Sequence, residues 1–345
     1  MSEQISLDNK PEAVPDLKER IGGILLKNRY TLEELALAVK ADAAEVSKAL
    51  DQLIASGKNV TVTTQGIGIE KDVELNKDRI TVNLGNGDIL SHKFAVTADN
   101  HLASKYSRLD VLNALFDWWE SEGVETVYQL GNIIDGEFRF NKFDLLAYGI
   151  EAQIDYLIEN WPERKGITTK FITGDDHEGW YIQREGINVG QYIQDKAERA
   201  GRNDLQYIGH MERNISFVNG EGSSWMRLIH AGGGSTYATS YTSQKYVESL
   251  QGGEKPNIVL VGHYHKFDYG YPREVRIIQA ACTEDQTPFM RKKKIQAMVG
   301  GVLIDFKQDR HGMIHRFNVC FEPFYDRGFY KGRTWRYHWN KEGQL

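Results

Sequence analysis

The sequence predicts a layered α/β fold behind a small domain of helices and a hairpin. Three observations predict it. From about Lys93 to Phe306, apolar strand-like runs alternate with amphipathic helical stretches. Ionisable groups collect at the ends of those runs. Residues 15–80 follow a different pattern, three short helical periodicities and then two alternating segments. The 345 residues suffice for one large domain, or a large one with a small one, and 41% apolar residues support a substantial core. A formal charge of −6 gives no global attraction to nucleic acid, so any such contact needs a local patch. Cys282 and Cys320 share no metal-binding spacing and fit a reducing compartment. No apolar leader or membrane-length run occurs, so a soluble cytoplasmic protein with no membrane partner is expected (host cytoplasm, if phage-encoded).

Taken in order, residues 1–14 read as a disordered lead. Leu17, Ile21, Ile24 and Leu25 recur at helical spacing, and Thr31 with Glu34 forms a capping box for a second helix carrying Leu32, Leu35 and Val39. A third helix spans 43–55 with Val46, Leu50, Leu53 and Ile54 inward. Val60–Thr64 and Ile67–Glu70 alternate around Gly66 as a hairpin does. These elements resemble a winged helix-turn-helix domain over 15–80. The outward residues of the third helix include Glu45, Ser47, Lys48 and Asp51, which is poorly basic for reading DNA, so a packing or protein-contact role, or a homo-oligomer, stands beside nucleic-acid binding. Thr81–Leu84 and Asn86–Leu90 read as strands leading into a main domain over 90–320.

In that domain Phe94–Thr97 delivers Asp99 and His101, and a helix follows over Ser107–Ser121. Val124–Leu130 delivers Gly131–Gly136, GNIIDG, with Asn132 and Asp135; a helix over Phe143–Ile158 comes next. Ile167–Ile172 delivers Thr173–Trp180, TGDDHEGW, with Asp175, Asp176, His177 and Glu178 in succession. After a helix at Val189–Arg199 and strands at Leu205–Tyr207 and Ile215–Val218, Trp225–Ile229 delivers His230. Ile258–Val261 delivers GHYH, with His263 and His265; Val275–Ile278 and Gly301–Phe306 close the sheet. No Gly-x-Gly-x-x-Gly follows the first strand, which speaks against a dinucleotide-binding fold. Imidazoles and carboxylates in this mixture suit Mn, Zn, Fe or Ni better than Ca or Mg alone.

These five ordered motifs resemble the signature of the calcineurin-like metallophosphoesterase superfamily over roughly Phe94–Phe306: Asp-x-His, Gly-Asp-x-x-Asp, Gly-Asn-His-Asp/Glu, a lone His and Gly-His-x-His. The resemblance implies a two-sheet sandwich flanked by helices and two divalent ions, Mn expected first. It places Asp99, His101 and His265 on one metal, Asp176, His230 and His263 on the other, and position 132 between them. His177 becomes the group facing the phosphate, with Asp99 and His177 the catalytic pair. Two ions of this kind would supply Lewis acidity and activate water. The chain departs from the signature twice. The bridging Asp is Asn132, and the Asn of Gly-Asn-His is Asp176, an exchange that preserves the total ligand charge. Asp135, Asp175 and Glu178 are expected to support the ligands, with Asp135 or Glu178 accepting from a ligand imidazole.

For the substrate, Trp180, Tyr181 and Arg184 beside His177 are expected to stack a base and hold a phosphate, and the run Arg291, Lys292, Lys293, Lys294 to form the local basic patch. The loop after His230, AGGGSTYATSYTSQKY, is a candidate channel wall. The segment 321–345 interleaves aromatic and basic residues and is expected to pack as a clasp or to lie against nucleic acid. A nuclease acting on DNA, resembling phage or bacterial members, is the expected function. The alternatives are a phosphatase or phosphodiesterase for a small nucleotide or phosphoprotein, and a non-catalytic scaffold subunit.

Overall fold

The computed structural model describes residues 16–25, 27–55, 60–63, 66–69, 79–234, 236–251 and 255–324. The disordered-lead expectation for 1–14 and most of the aromatic–basic segment (325–345) lie outside the described residues. The chain divides into two units, residues 1–78 and 79–345.

In the first unit, α1 (Leu17–Leu25), α2 (Leu32–Val39) and α3 (Ala43–Ala55) precede the antiparallel pair β1 (Val60–Thr63) and β2 (Gly66–Ile69). The capping box forms as the sequence predicts: Thr31 Oγ1 accepts the Glu34 N–H at 3.2 Å, and Glu34 Oε2 accepts the Thr31 N–H at 2.8 Å. Ile21, Leu25, Leu35, Val39, Val46, Leu50, Leu53 and Ile69 form its core. Ile54 does not join them. One residue beyond Leu53 turns it about 100° around the helix, where it is 55% exposed.

The second unit holds two six-stranded sheets. One has the order β14 (Ile314–Pro323), β13 (Gly300–Asp309), β4 (Ile89–Thr97), β5 (Thr126–Leu130), β6 (Thr168–Thr173), β7 (Leu205–His210). From β4 to β7 its strands are parallel; β13 and β14 add antiparallel. The other has the order β11 (Asp268–Gly270), β12 (Arg276–Gln279), β10 (Ile258–Gly262), β9 (Gly222–His230), β8 (Glu212–Asn219), β3 (Arg79–Gly85), with β12, β10 and β9 parallel. Alternation along each strand sends residues to opposite faces. Phe94, Val96, Tyr128, Leu130 and Ile172 of the first sheet meet Phe217, Met226, Leu228, Leu260 and Ile278 of the second in one core. Ala95, Val127 and Phe171 point the other way, against α4 (Leu109–Ser121), α5 (Gly149–Asn160) and α7 (Val189–Arg199). On the second sheet's outer face, Val259, Val261 and Ile277 pack Val247 of α8 (Thr239–Ser249). Two mixed sheets flanked by helices is therefore the architecture.

Several boundaries differ from expectation. Asn86–Asp88 is a bend, and β4 begins at Ile89. The helix expected from Phe143 starts at Gly149, leaving a long loop (131–148) at the end of β5. The Gly/Ser-rich loop after His230 becomes α8 in its second half, and the basic run lies on a short helix, α9 (Pro288–Lys293). Among the described residues no helix is long and apolar enough to cross a membrane.

Candidate metal centre

The five motifs leave the C-terminal ends of β4, β5, β6, β9 and β10, which belong to parallel stretches of two facing sheets, so chains 30 to 55 residues apart in sequence meet on one rim. The turns that do this are tight. Asp99, His101, Asn132, His177, His263 and His265 all have positive φ, between 46° and 93°. Non-glycine residues rarely occupy this region, and they persist there where surrounding structure over-determines them. The glycines of GNIIDG serve the same approach: a Cβ on Gly131 would lie 2.3 Å from His230 Nδ1, and one on Gly136 would lie 2.2 Å from the His177 carbonyl oxygen.

Two triads result. Ligand atoms of Asp99, His101 and His265 lie within 4.8 Å of one another, as do those of Asp176, His230 and His263. In the first, His265 Nε2 is 3.5 Å from Asp99 Oδ1 and 3.3 Å from His101 Nε2. In the second, Asp176 Oδ1 is 3.3 Å from His230 Nε2 and Oδ2 is 3.4 Å from His263 Nδ1. Asn132 Nδ2 donates to Asp99 Oδ1 at 3.3 Å, and a Cβ on Gly174 would lie 2.7 Å from Asn132 Oδ1 and 2.9 Å from His230 Nε2.

Partners on the far side of each ring fix the nitrogen that faces inward. His101 Nδ1 lies 3.1 Å from Asp135 Oδ1, His230 Nδ1 donates to the Leu130 carbonyl at 2.7 Å, and His263 Nε2 donates to the Gly233 carbonyl at 2.7 Å. This leaves His101 Nε2, His230 Nε2 and His263 Nδ1 facing inward, the last two toward the Asp176 carboxylate, which raises both rings against the burial that lowers them. Asn132 Oδ1 and His263 Nδ1 are buried with no hydrogen-bond partner among the described residues. Orphaned buried acceptors facing carboxylates are what divalent ions satisfy, and the N/O donor set suits Mn, Fe, Zn or Ni. Two candidate divalent-metal sites are thus present.

Charge inside this site is strongly coupled. Burial opposes ionisation of Asp99, but the imidazoles of His265, His230 and His101 outweigh it and hold the carboxyl well below its ordinary range. Asp176 is likewise held low against burial, by His230 and His263. His101 is pushed down to about 4, by burial first and then by the neighbouring His177. His177 moves the other way, to about 10: burial lowers it, yet the Asp135 carboxylate at 3.4 Å and the Asp135 carbonyl, accepting from Nδ1 at 2.8 Å, favour the cation.

The supporting residues divide differently from expectation. Asp135 accepts from a ligand imidazole; Glu178 does not. Glu178 is fully buried and its Oε1 takes the backbone N–H of Asn132 at 2.7 Å and of Gly174 at 2.9 Å. Asp175 is half-buried, and its backbone carbonyl accepts from Gln183 Nε2 at 2.6 Å. Of the expected substrate contacts, Trp180 and Lys293 line a cavity of about 540 Å³ that opens onto both triads. Tyr181 is only 3% exposed because it sits on the inward face of α6 (Gly179–Glu185), and Arg184 donates to the Glu137 carbonyl at 2.8 Å. Arg291 turns to the Gln286 carbonyl at 2.6 Å, and neither it nor Lys292 nor Lys294 lines the cavity.

One residue outside the motifs lies in the site. Glu284, 3% exposed, places Oε2 3.8 Å from His101 Nε2 and 3.9 Å from His265 Nδ1, while Ser104 Oγ donates to Oε1 at 3.1 Å. It follows β12 as Asp99 follows β4, and that placement was its one signal in the sequence.

No family model and no curated protein matches the chain. Among solved structures it is similar to a conserved predicted phosphoesterase from Streptococcus pneumoniae TIGR4 (10% identity over 67% of this chain and 98% of that one, TM-score 0.30). It is also similar to wild-type Vps29 from Entamoeba histolytica complexed with Zn²⁺ (11%, 67% and 99%, TM-score 0.30). A 5′-nucleotidase precursor from Thermus thermophilus is similar at 12% identity over 70% of this chain and 57% of that one, with TM-score 0.35.

Proposed function

We propose that the chain is a two-metal phosphoester hydrolase of the metallophosphoesterase type. The observation that carries this reading is the pair of triads, each of one carboxylate and two imidazoles, with Asn132 bonded to Asp99 of the first. Asp99, His101 and His265 would hold one ion, Asp176, His230 and His263 the other. Bound there, two divalent ions supply Lewis acidity towards a phosphoryl group and lower the pKa of water. The protein's own contribution is positioning and a proton. His177 lines the cavity, is 23% exposed, and has Nδ1 tied to Asp135, which favours its protonated form. Its Nε2–H is the donor for the departing ester oxygen.

The size of the cavity supports a small nucleotide or a strand end over duplex DNA, since about 540 Å³ falls in the range of small-ligand sites. A second reading, a nuclease on DNA with residues 15–80 as a winged-helix-like module, draws support from the Tyr30–Ile67 bridge, which adds a third segment to the β1–β2 hairpin. Against it, the exposed residues Glu45, Lys48 and Asp51 give α3 no cationic face.

The test strips the protein with chelator, reloads it with Mn²⁺, and measures metal content and hydrolysis of bis-p-nitrophenyl phosphate on one batch. His263→Ala is expected to lose one ion per chain and most turnover. Undiminished activity in that variant overturns the assignment. A parallel screen of mononucleotides, single strands, duplex DNA and RNA separates the two readings.

A further inference from the structure

We infer that the cavity seats the nucleobase of the substrate on a track of aromatic rings leading away from the triads, an inference that rests on the phosphoesterase reading. The track begins at His177, whose ring stacks on Trp180 with centroids 4.6 Å apart and planes 29° from parallel. Phe140 meets Trp180 edge-on at 5.6 Å, and Phe289 stacks on Phe140 at 5.9 Å and 16°. These rings come from separate parts of the chain: the loop after β5, α6 and α9.

The outer two rings are the unusual ones. Phe140 and Phe289 line the cavity mouth yet remain 55% and 52% exposed. Stacked on each other, they still leave about half of their surface open to water beside a charged site. Exposed aromatic area of this kind, continuous with a pocket, marks a surface that is covered in use. Lys293 Nζ lies 5.9 Å from the Phe289 ring, and Asp144 also lines the cavity, so the cavity that the rings line carries a donor and an acceptor. An aliphatic chain has no use for that pair. A heterocycle with a π-face and polar edges uses both, and stacking of this sort accepts any base. A free nucleotide and the end of a single strand present the same chemistry.

Binding of dAMP, deoxyribose 5-phosphate and a short oligo(dA) to the Mn²⁺-loaded full chain, followed by calorimetry, tests this. In the wild type dAMP is expected to bind about tenfold or more tighter than the sugar phosphate, the difference one base stack makes. Phe140→Ala/Phe289→Ala is expected to close that gap while leaving sugar-phosphate binding and metal content unchanged; both positions are surface, and circular dichroism checks folding. Equal binding of the two ligands by the wild type, or an unchanged gap in the double variant, overturns the track alone. Absence of binding by every phosphate, together with no hydrolysis of bis-p-nitrophenyl phosphate, overturns the phosphoesterase reading with it. Tighter binding of oligo(dA) than of dAMP supports the track with a strand end as its occupant; the reverse supports it with a free nucleotide.

Discussion

One oxygen of Glu178 accepts the backbone N–H of Asn132 at 2.7 Å and that of Gly174 at 2.9 Å, so a single buried carboxylate ties the end of β5 to the end of β6. Asn132 stands at φ 54°, and its side chain donates to Asp99 Oδ1 at 3.3 Å. Burial raises Glu178 to about 7, against the Gly174 N–H, which lowers it. A neutral acceptor would serve the two N–H groups almost as well.

Glu178→Gln is expected to keep Asn132 and Gly174 bonded, because its amide oxygen accepts the same two bonds, though its NH2 replaces Oε2, which is buried without a hydrogen-bond partner among the described residues. Glu178→Ala leaves two backbone donors buried without partners, at a cost of about 1–3 kcal/mol for each group left unsatisfied, and frees Asn132. Denaturant unfolding and Mn²⁺ content should both fall for Glu178→Ala alone. Matching values for wild type and Glu178→Ala would show that the clamp is idle.

Asn132 and Asp176 are expected to behave as one charge-sharing pair. Asp99 and Asp176 carry the two negative charges among the six triad ligands and Asn132, and the Asn132 amide contributes a neutral oxygen. Asp176→Asn removes half of that charge and should weaken Mn²⁺ binding by more than roughly tenfold, the lower end of what even supporting groups cost. Asn132→Asp in the same chain restores the total and should recover part of the affinity, measured by calorimetry. A double variant that binds no better than Asp176→Asn would mean that position 132 takes no part in holding metal.

Glu284 carries the third prediction. His265 Nδ1 is buried with no hydrogen-bond partner among the described residues, and Glu284 Oε2, 3.9 Å away, is the carboxyl oxygen facing it, held above its ordinary range by burial. Glu284→Ala should lower the affinity of one of the two ions by about tenfold and spare the other. Two unchanged binding steps would remove Glu284 from the centre.

What was legible in the sequence follows from how local each feature is. Asp99, His101, His263 and His265 stand two apart at the ends of apolar runs, so short spacing and strand placement expose them together. Glu284 has no companion at fixed spacing; only the packing of the loop after β12 against His101 and His265 brings it in. Tyr181 follows Trp180 directly, and adjacency suggested a shared role. The turn of α6 separates them, sending Trp180 to the cavity and Tyr181 to the core. The basic run shows the same effect, since a short helix aims consecutive residues in different directions and only Lys293 lines the cavity. The aromatic track was not legible beyond Trp180, because Phe140 and Phe289 are far apart in sequence and meet only in space.

The last prediction concerns stability away from the metal centre. His92 on β4 packs against Phe94, Phe217 and Phe306, with ring centroids 5.0–5.8 Å away, and its Nε2 is buried without a hydrogen-bond partner among the described residues. Burial, and secondarily the positive charge of Lys170, lower it from 6.5 to about 4. The folded chain therefore keeps His92 neutral at pH 5, while the unfolded chain protonates it. Between about 6.5 and 4 the unfolded state binds more protons, so the stability conferred by a neutral His92 is complete above that window and is lost as pH falls through it. At about 1.4 kcal/mol per unit the full loss is about 3 kcal/mol. His92→Phe keeps the aromatic cluster and removes the proton. The difference in thermal midpoint between variant and wild type should shift in the variant's favour as pH drops from about 7.5 to about 4.5, across the window that linkage sets. A difference independent of pH would contradict this account.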